Sequence, residues 1–257
     1  MSLAELSAWQ WAIVAVAGLL AGFVNTVAGG GSLLTLPALM LAGLPPTVAN
    51  GTNRIGILMQ SSSASLQFQR AGSLDLPLAG RLLWPTLIGA GLGAYTASII
   101  SDEAMEPLIL GVLVTVACLF ALKPQWVAPQ PSPQRAPESA GPFTMIMLLI
   151  TGFYGGFLQA GVGFLLLTVL AGTLRLDLTR ANALKVAIVI PYTILALGIF
   201  AWADQVVWGV GVLLGATSMV GARLGVYVAL ERADWLRWLV LGAVVASGVA
   251  MASRRLV

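Results

Sequence analysis

WQWAIVAVAGLLAGFVNTVAGGGSLLTLPALMLA, residues 9–42, decides how this chain folds. It carries no Asp, Glu, Lys or Arg, and the uncharged run extends from Glu5 to Arg54. A helix crosses a bilayer with roughly 20 apolar residues. Drawn as one continuous helix this stretch would be about 50 Å long, well beyond the ~30 Å hydrocarbon core. In its middle lies AGGGS, Ala28 to Ser32, and glycine both weakens a helix and permits sharp turns. The stretch therefore reads as a broken element: a long arm, a glycine break, then a short helix of about ten residues.

The rest of the chain has the same character. Of 257 residues, 58% are hydrophobic and 9% charged, whereas a soluble domain carries about a quarter charged residues and under half apolar ones. The surplus apolar surface must face something other than water. Glu138 to Arg175, Leu82 to Ser101, Val186 to Ala203 and Gln205 to Ala222 are further stretches without an internal charge. The expected fold is an all-α integral membrane protein. Met1 to Ala8 has no basic residue, so the start reads as leading into a first membrane segment, not as a signal peptide. The lone Cys118 excludes an internal disulfide and a cysteine metal cluster. With no histidine, the commonest general base and metal ligand is missing.

KPQWVAPQPSPQRAPESAGP, residues 123–142, is a Pro-rich linker. It separates a first transmembrane repeat, 1–122, from a second, 143–257. The halves align at a shift of 132 residues over their central parts. Gly29 and Gly31 fall on Gly161 and Gly163; Thr47, Ala49 and Asn50 fall on Thr179, Ala181 and Asn182. Gly89, Gly93 and Tyr95 fall on Gly221, Gly225 and Tyr227, and Asp102 falls on Asp234. Such self-similarity marks an internal duplication. Each half has a broken first segment (Trp9 to Ala42, Phe143 to Leu174) and three further ones. These are Asn50 to Phe68, Leu78 to Ile100 and Ala104 to Leu122, then Ala181 to Ala203, Val206 to Leu230 and Trp235 to Ala252.

Loop charges bear on whether the short helix continues across the membrane or turns back. If each long segment crosses once, the basic residues divide evenly between the two sides. If each is a hairpin, or crosses twice, the linker side collects Arg70, Arg81, Lys123, Arg135, Arg175, Arg180, Lys185, Arg232 and Arg237. Only Arg54, Arg254 and Arg255 then lie opposite. Cytoplasmic loops are enriched in Lys and Arg, which favours the second arrangement: a cytoplasmic linker, periplasmic termini and two halves as inverted repeats, a plan common in transporters. A bacterial inner membrane is the expected location.

The glycine breaks carry the main functional signal. A helix starting inside the membrane offers free N–H groups and the positive end of its dipole, an anion site in principle. Gly29, Gly30, Gly31 and Ser32 open one such helix; Gly161, Val162 and Gly163 open the other. Against this stands close helix packing by small residues, the better reading of any single glycine. Asn25 and Gln159 flank the breaks, and Asn50, Asn53, Asn182 and Lys185 lie near the start of the next segment. Side-chain amides can donate to oxyanion oxygens, although Asn50 and Asn182 read equally well as helix N-caps. Lys185 and Arg223 are candidate anion-attracting groups, while Arg54 reads as snorkelling to the headgroups. Ser61, Ser62, Ser63 and Ser65, with Gln60 and Gln67, line a pathway or bond to neighbouring helices and their own carbonyls. No acidic residue lies deep in a span, which argues against a buried proton-carrying carboxylate.

The segments GFVNTVAGGGSLLTLPALMLAGLPPTVANGTNR (Gly22 to Arg54), GFYGGFLQAGVGFLLLTVL (Gly152 to Leu170) and LTRANALK (Leu178 to Lys185) resemble the TauE/SafE family of sulfite and organosulfonate exporters. The resemblance spans nearly the whole chain. It implies a permease for a sulfur-containing oxyanion, an organic sulfonate or a related carboxylate, with no enzymatic step. The second half has AGVG where a fuller glycine run is expected.

Secondary anion transport is thus the leading expectation. A passive anion channel of the same build is the rival, followed by a non-transporting scaffold subunit; an enzyme is disfavoured by the missing His, acidic pair and Cys motif. The expected partners are the small anion and the lipid bilayer, with room for a homodimer and no nucleic acid. No cofactor or metal is expected.

Overall fold

The computed structural model describes residues 7–27, 29–122 and 140–231. The last sequence segment, Trp235 to Ala252, most of the linker, and Asp234 lie outside the described residues. Among the described residues the regular elements are helices: α1 (Ala8–Val27), α2 (Ser32–Leu41), α3 (Pro46–Arg70), α4 (Leu76–Ser98), α5 (Asp102–Leu122), α6 (Pro142–Phe157), α7 (Val162–Leu174), α8 (Leu178–Trp202) and α9 (Trp208–Glu231). By length and composition α1, α8 and the Trp208–Tyr227 part of α9 can each cross a membrane.

Local chemistry sets the helix starts. Pro46 and Pro142 open α3 and α6, where proline has no N–H to lose and a fixed φ near the helical value. Asp75 caps α4 by accepting from Leu78 N at 2.9 Å. Asp177 caps α8 by accepting from Arg180 N at 2.9 Å. Asn50 and Asn182 therefore sit a turn inside their helices, which corrects the N-cap reading of both.

Both long apolar stretches are broken, and the chain turns back at each break. The start of α2 lies against α1, with Gly31 fitted onto Ala21 and Asn25. At the other end of α2, Gln10 Nε2 donates to Ala42 O at 2.9 Å, so α2 returns to the end where α1 began. Val14, Leu39, Ala42 and Leu44 bury their side chains in that seam. In the second stretch, Tyr154 of α6 reaches past the break to donate its hydroxyl to Ala160 O. The turns use left-handed backbone at Gly29 (φ 93°) and Gly161 (φ 73°), where a Cβ would be strained.

Helices of one half pack on helices of the other through glycine. Gly22 of α1 lies on the Ser218 backbone of α9, and Gly221 of α9 on Leu19 and Phe23 of α1. Gly152 of α6 lies on the Thr86 backbone of α4, and Gly89 of α4 on Leu149 and Phe153 of α6. The two interfaces use equivalent atoms, and within each the helices run parallel. Leu19 and Leu149 stand 130 residues apart, whereas Ser218 and Thr86 stand 132 apart. The arm helices are thus offset by two residues from the spacing that holds after the breaks. The central pair, α3 and α8, runs antiparallel: Gly51 meets Phe200 and Gln205, while Phe68 clusters with Ala183.

These contacts sort the turns between two ends of the bundle. One end gathers the start of α1 with Thr47, Ser98, Asp102 and Gln205. There Thr47 Oγ1 donates to Asp102 Oδ1 at 2.7 Å, and Gln205 Nε2 to Ser98 O at 3.0 Å. The other end gathers the turns after α3 and α7, where Leu74, Leu78, Leu174 and Leu176 share a core. Among the described turns, the first end carries acidic residues only, Asp102, Glu103 and Asp204. The second carries Arg70, Arg175 and Arg180 together with Asp75 and Asp177.

Candidate functional site

The last carbonyls of α1 and α6, at the two hairpin tips, have no partner further along their own helix. They also form the negative end of the helix dipole. The central helices supply donors to both. Arg54 of α3 donates from Nη1 to Gly155 O at 2.5 Å and to Gln159 Oε1, and from Nη2 to Gly156 O at 2.7 Å and to Asn50 Oδ1 at 3.1 Å. Its guanidinium lies 5.0 Å from the centre of the Phe200 ring. Asn50 Nδ2 donates to Phe157 O at 2.7 Å. On the other side, Lys185 of α8 donates to Asn25 O at 2.8 Å, and Asn182 Nδ2 donates to Thr26 O. Each tip is therefore held by one cation and one amide from the opposite half of the sequence.

Arg54 is 0% exposed. The snorkelling expectation is thereby corrected: the guanidinium points inward because five oxygen acceptors, Phe157 O at 3.4 Å among them, and an aromatic face wait there. Lys185 is 1% exposed and differs in one respect. An ammonium has three donors, and its only hydrogen bond to the described residues is the one to Asn25. No Asp or Glu is buried among the described residues, so neither cation has a carboxylate counterion.

Lys185 borders a cavity shared by both breaks. Its walls include Asn25, Ser32, Ser61, Gln159 and Gly163, with Ile57, Val162, Val186 and Val189 as the apolar part. Its free volume is about 10 Å³, the room of about one water molecule. Ser61 Oγ is buried without a hydrogen-bond partner. Gln159 holds a strained φ of 62°, a conformation that costs a non-glycine residue about 1–3 kcal/mol. That backbone directs its side chain between Arg54 and Thr193, whose Oγ1 lies 3.5 Å from Gln159 Nε2.

Of the residues singled out from sequence, the structure brings Asn25, Ser32, Gln159, Gly163 and Lys185 to the cavity. Gly29 and Gly163 abut so closely that a Cβ on either would overlap the other's main chain. Gly30 packs on the Phe164 ring, Gly31 on α1, and Gly161 beside Leu33. Asn53 accepts from Thr35 Oγ1 at 2.6 Å. Asn50 and Asn182 tie the tips, and Arg223 is exposed on α9 away from the cavity. Sequence reasoning did not give Arg54 or Thr193 a part in the site. The signal available for Arg54 was its place four residues after Asn50, one turn on along the same helix face.

Comparison with known proteins agrees with a membrane transporter. The family model described as "Sulfite exporter TauE/SafE" matches residues 14–251. The "Probable membrane transporter protein ORF9" of Sinorhizobium sp is 29% identical over 86% of this chain and 84% of its own. A "Probable membrane transporter protein" of Haemophilus influenzae is 28% identical over 88% and 87%. "Probable membrane transporter protein YfcA" of Escherichia coli K12 is 28% identical over 85% and 80%. No solved structure matches. A chain of apolar helices, broken twice around buried cations and matched by this model over most of its length, belongs to the TauE/SafE sulfite exporter family.

Proposed function

We propose that this transporter carries a small oxyanion, sulfite or an organosulfonate, by secondary transport, and that it binds the anion at the Lys185 cavity. The observation that carries the reading is a buried ammonium with spare donors and, among the described residues, no buried carboxylate near it. Burying such a charge costs several kcal/mol, and an incoming anion offsets that cost. Ser32, Ser61, Asn25 and Gln159 add neutral donors, which suit an oxyanion's several acceptor oxygens. A cavity with room for about one water is too tight for a sulfonate. The walls must move to admit one, which favours a carrier over an open channel.

The same proposal takes the halves as inverted repeats in a bacterial inner membrane, with the Arg70 end cytoplasmic. The antiparallel α3 and α8, the equivalent glycine interfaces and the enrichment of Arg at one end support it. The test is flux in proteoliposomes. Purified protein should move sulfite or methanesulfonate across the membrane, and Lys185→Gln should do so about tenfold or more slowly at low anion concentration. Equal flux for both proteins would remove the Lys185 site, and no flux of either anion would remove the substrate class.

A further inference from the structure

Beyond the cavity, α3 stays polar where a membrane helix is normally apolar. From Gln60 to Gln69 it carries Gln60, Ser61, Ser62, Ser63, Ser65, Gln67 and Gln69. Polar side chains in a membrane helix usually bond to a neighbouring helix or to their own backbone. Here no side chain of this group bonds to another helix among the described residues. Ser62 Oγ bonds to Leu58 O at 2.8 Å and Gln67 Nε2 to Ser63 O at 3.1 Å, both within α3. Gln60 Oε1 and Ser61 Oγ are buried with no hydrogen-bond partner among the described residues. A stranded polar group is costly where no water reaches.

Four residues at i, i+4 spacing share one helix face. Ile57 and Ser61 line the cavity, Ser65 is half-buried and Gln69 is exposed beside Arg70. The stripe thus leads from the cavity to the basic end with rising exposure. Its counterpart on α8, 132 residues on, is Val189, Thr193, Leu197 and Ala201, leading toward the acidic end. Val189 lines the cavity as Ile57 does. Past it Thr193 is as buried as Ser61, but its hydroxyl is taken up by Gln159 where Ser61 Oγ has no partner among the described residues. Leu197 and Ala201, where α3 has Ser65 and Gln69, are apolar and offer no side-chain hydrogen bond.

We propose that the Ser61–Ser65–Gln69 face of α3 is the water-filled route by which the anion passes between the cavity and the basic end. The Thr193–Leu197–Ala201 face of α8, with Gln159 across it, is the closed side. This rests on the reading of the cavity as an anion site. The hydroxyls and amides hand the anion donors of no net charge, so it is solvated along the way without being trapped. Arg70 at the mouth raises the local anion concentration.

The test replaces the exposed Cys118 by serine and adds single cysteines in α3 (Ser61→Cys, Ser65→Cys) or α8 (Thr193→Cys, Leu197→Cys). Each is exposed to a membrane-impermeant methanethiosulfonate in sealed vesicles of either orientation, with Ser73→Cys reporting the accessible face. The two α3 cysteines should react from the Ser73 face, roughly tenfold or more faster than the α8 pair, since a lipid-sealed thiol meets no water. Methanesulfonate should slow the reaction at Ser61→Cys. Unreactive α3 cysteines, or equal reaction at α8, overturn the route. Reaction at α3 that methanesulfonate leaves unchanged keeps the route and removes the anion site.

Discussion

Lys185 and Arg54 are both buried cations, yet substitution should separate them. Arg54 satisfies the carbonyls of Gly155 and Gly156 and the side chains of Asn50 and Gln159. Arg54→Met leaves those groups unpaired, and each buried acceptor stripped of its donor costs about 1–3 kcal/mol. A clear fall in thermal unfolding temperature in detergent is expected, with Arg54→Lys intermediate. Lys185→Met removes a buried charge with one of its three donors bonded, and replacing buried charge by a packed apolar side chain is often neutral or stabilising. Its unfolding temperature should hold or rise, while anion uptake at low concentration falls about tenfold or more, the worth of a charge-assisted hydrogen bond. A Lys185→Met protein that unfolds early but transports normally would reverse the assignment. The sequence exposed Lys185 as a candidate because it sits one turn past Asn182. It hid the role of Arg54, since a long cation near a helix start snorkels as readily as it turns inward. The deciding acceptors lie 101 and 102 residues further along the chain.

The broken hairpins were the most legible elements, because over-long apolar runs with central glycines admit few other shapes. That the two breaks meet follows from an inverted arrangement of the halves; how tightly their main chains abut was not legible, for it depends on how the halves dock. Gly29 shows what that docking requires: it combines φ 93° with main-chain contact to Gly163. Gly29→Ala and Gly163→Ala should each reduce folded yield sharply, measured as the monodisperse fraction on size exclusion. Gly172 is the internal control. It lies within α7 with nothing near its missing side chain, and Gly→Ala in a helix interior gains about 0.5–1 kcal/mol. Gly172→Ala should fold as well as the parent or better. The two-residue offset between α1 and α6 was also invisible to a gapless alignment. A helix keeps its packing face when a residue moves three or four positions, so a shift of two is absorbed only by a change in the loop, here around Gln159.

For the whole molecule, the distribution of charge between the ends is the testable quantity. Single cysteines at Ser73 and Asp204, again without Cys118, should label from opposite faces of a sealed vesicle, with Ser73 on the cytoplasmic face. Labelling of both from one face would dismantle the two-ended arrangement. Membrane character was open to composition, because a chain this poor in charge has no soluble alternative. The polar stretch of α3 was open to the sequence as well; that it starts at the cavity and leads to one end of the bundle was not, since that depends on how the helices dock.

The exchanged glycine seams have a consequence for assembly. Since α1 leans on α9 and α6 on α4, neither half keeps its main helix contacts at home. Each is an incomplete fold whose small-residue grooves are shaped for the other's ridges. Severing the chain within residues 123–139 should therefore leave two fragments that find one another when synthesised together. Either fragment made alone would have its grooves filled by lipid, or by a second copy of itself.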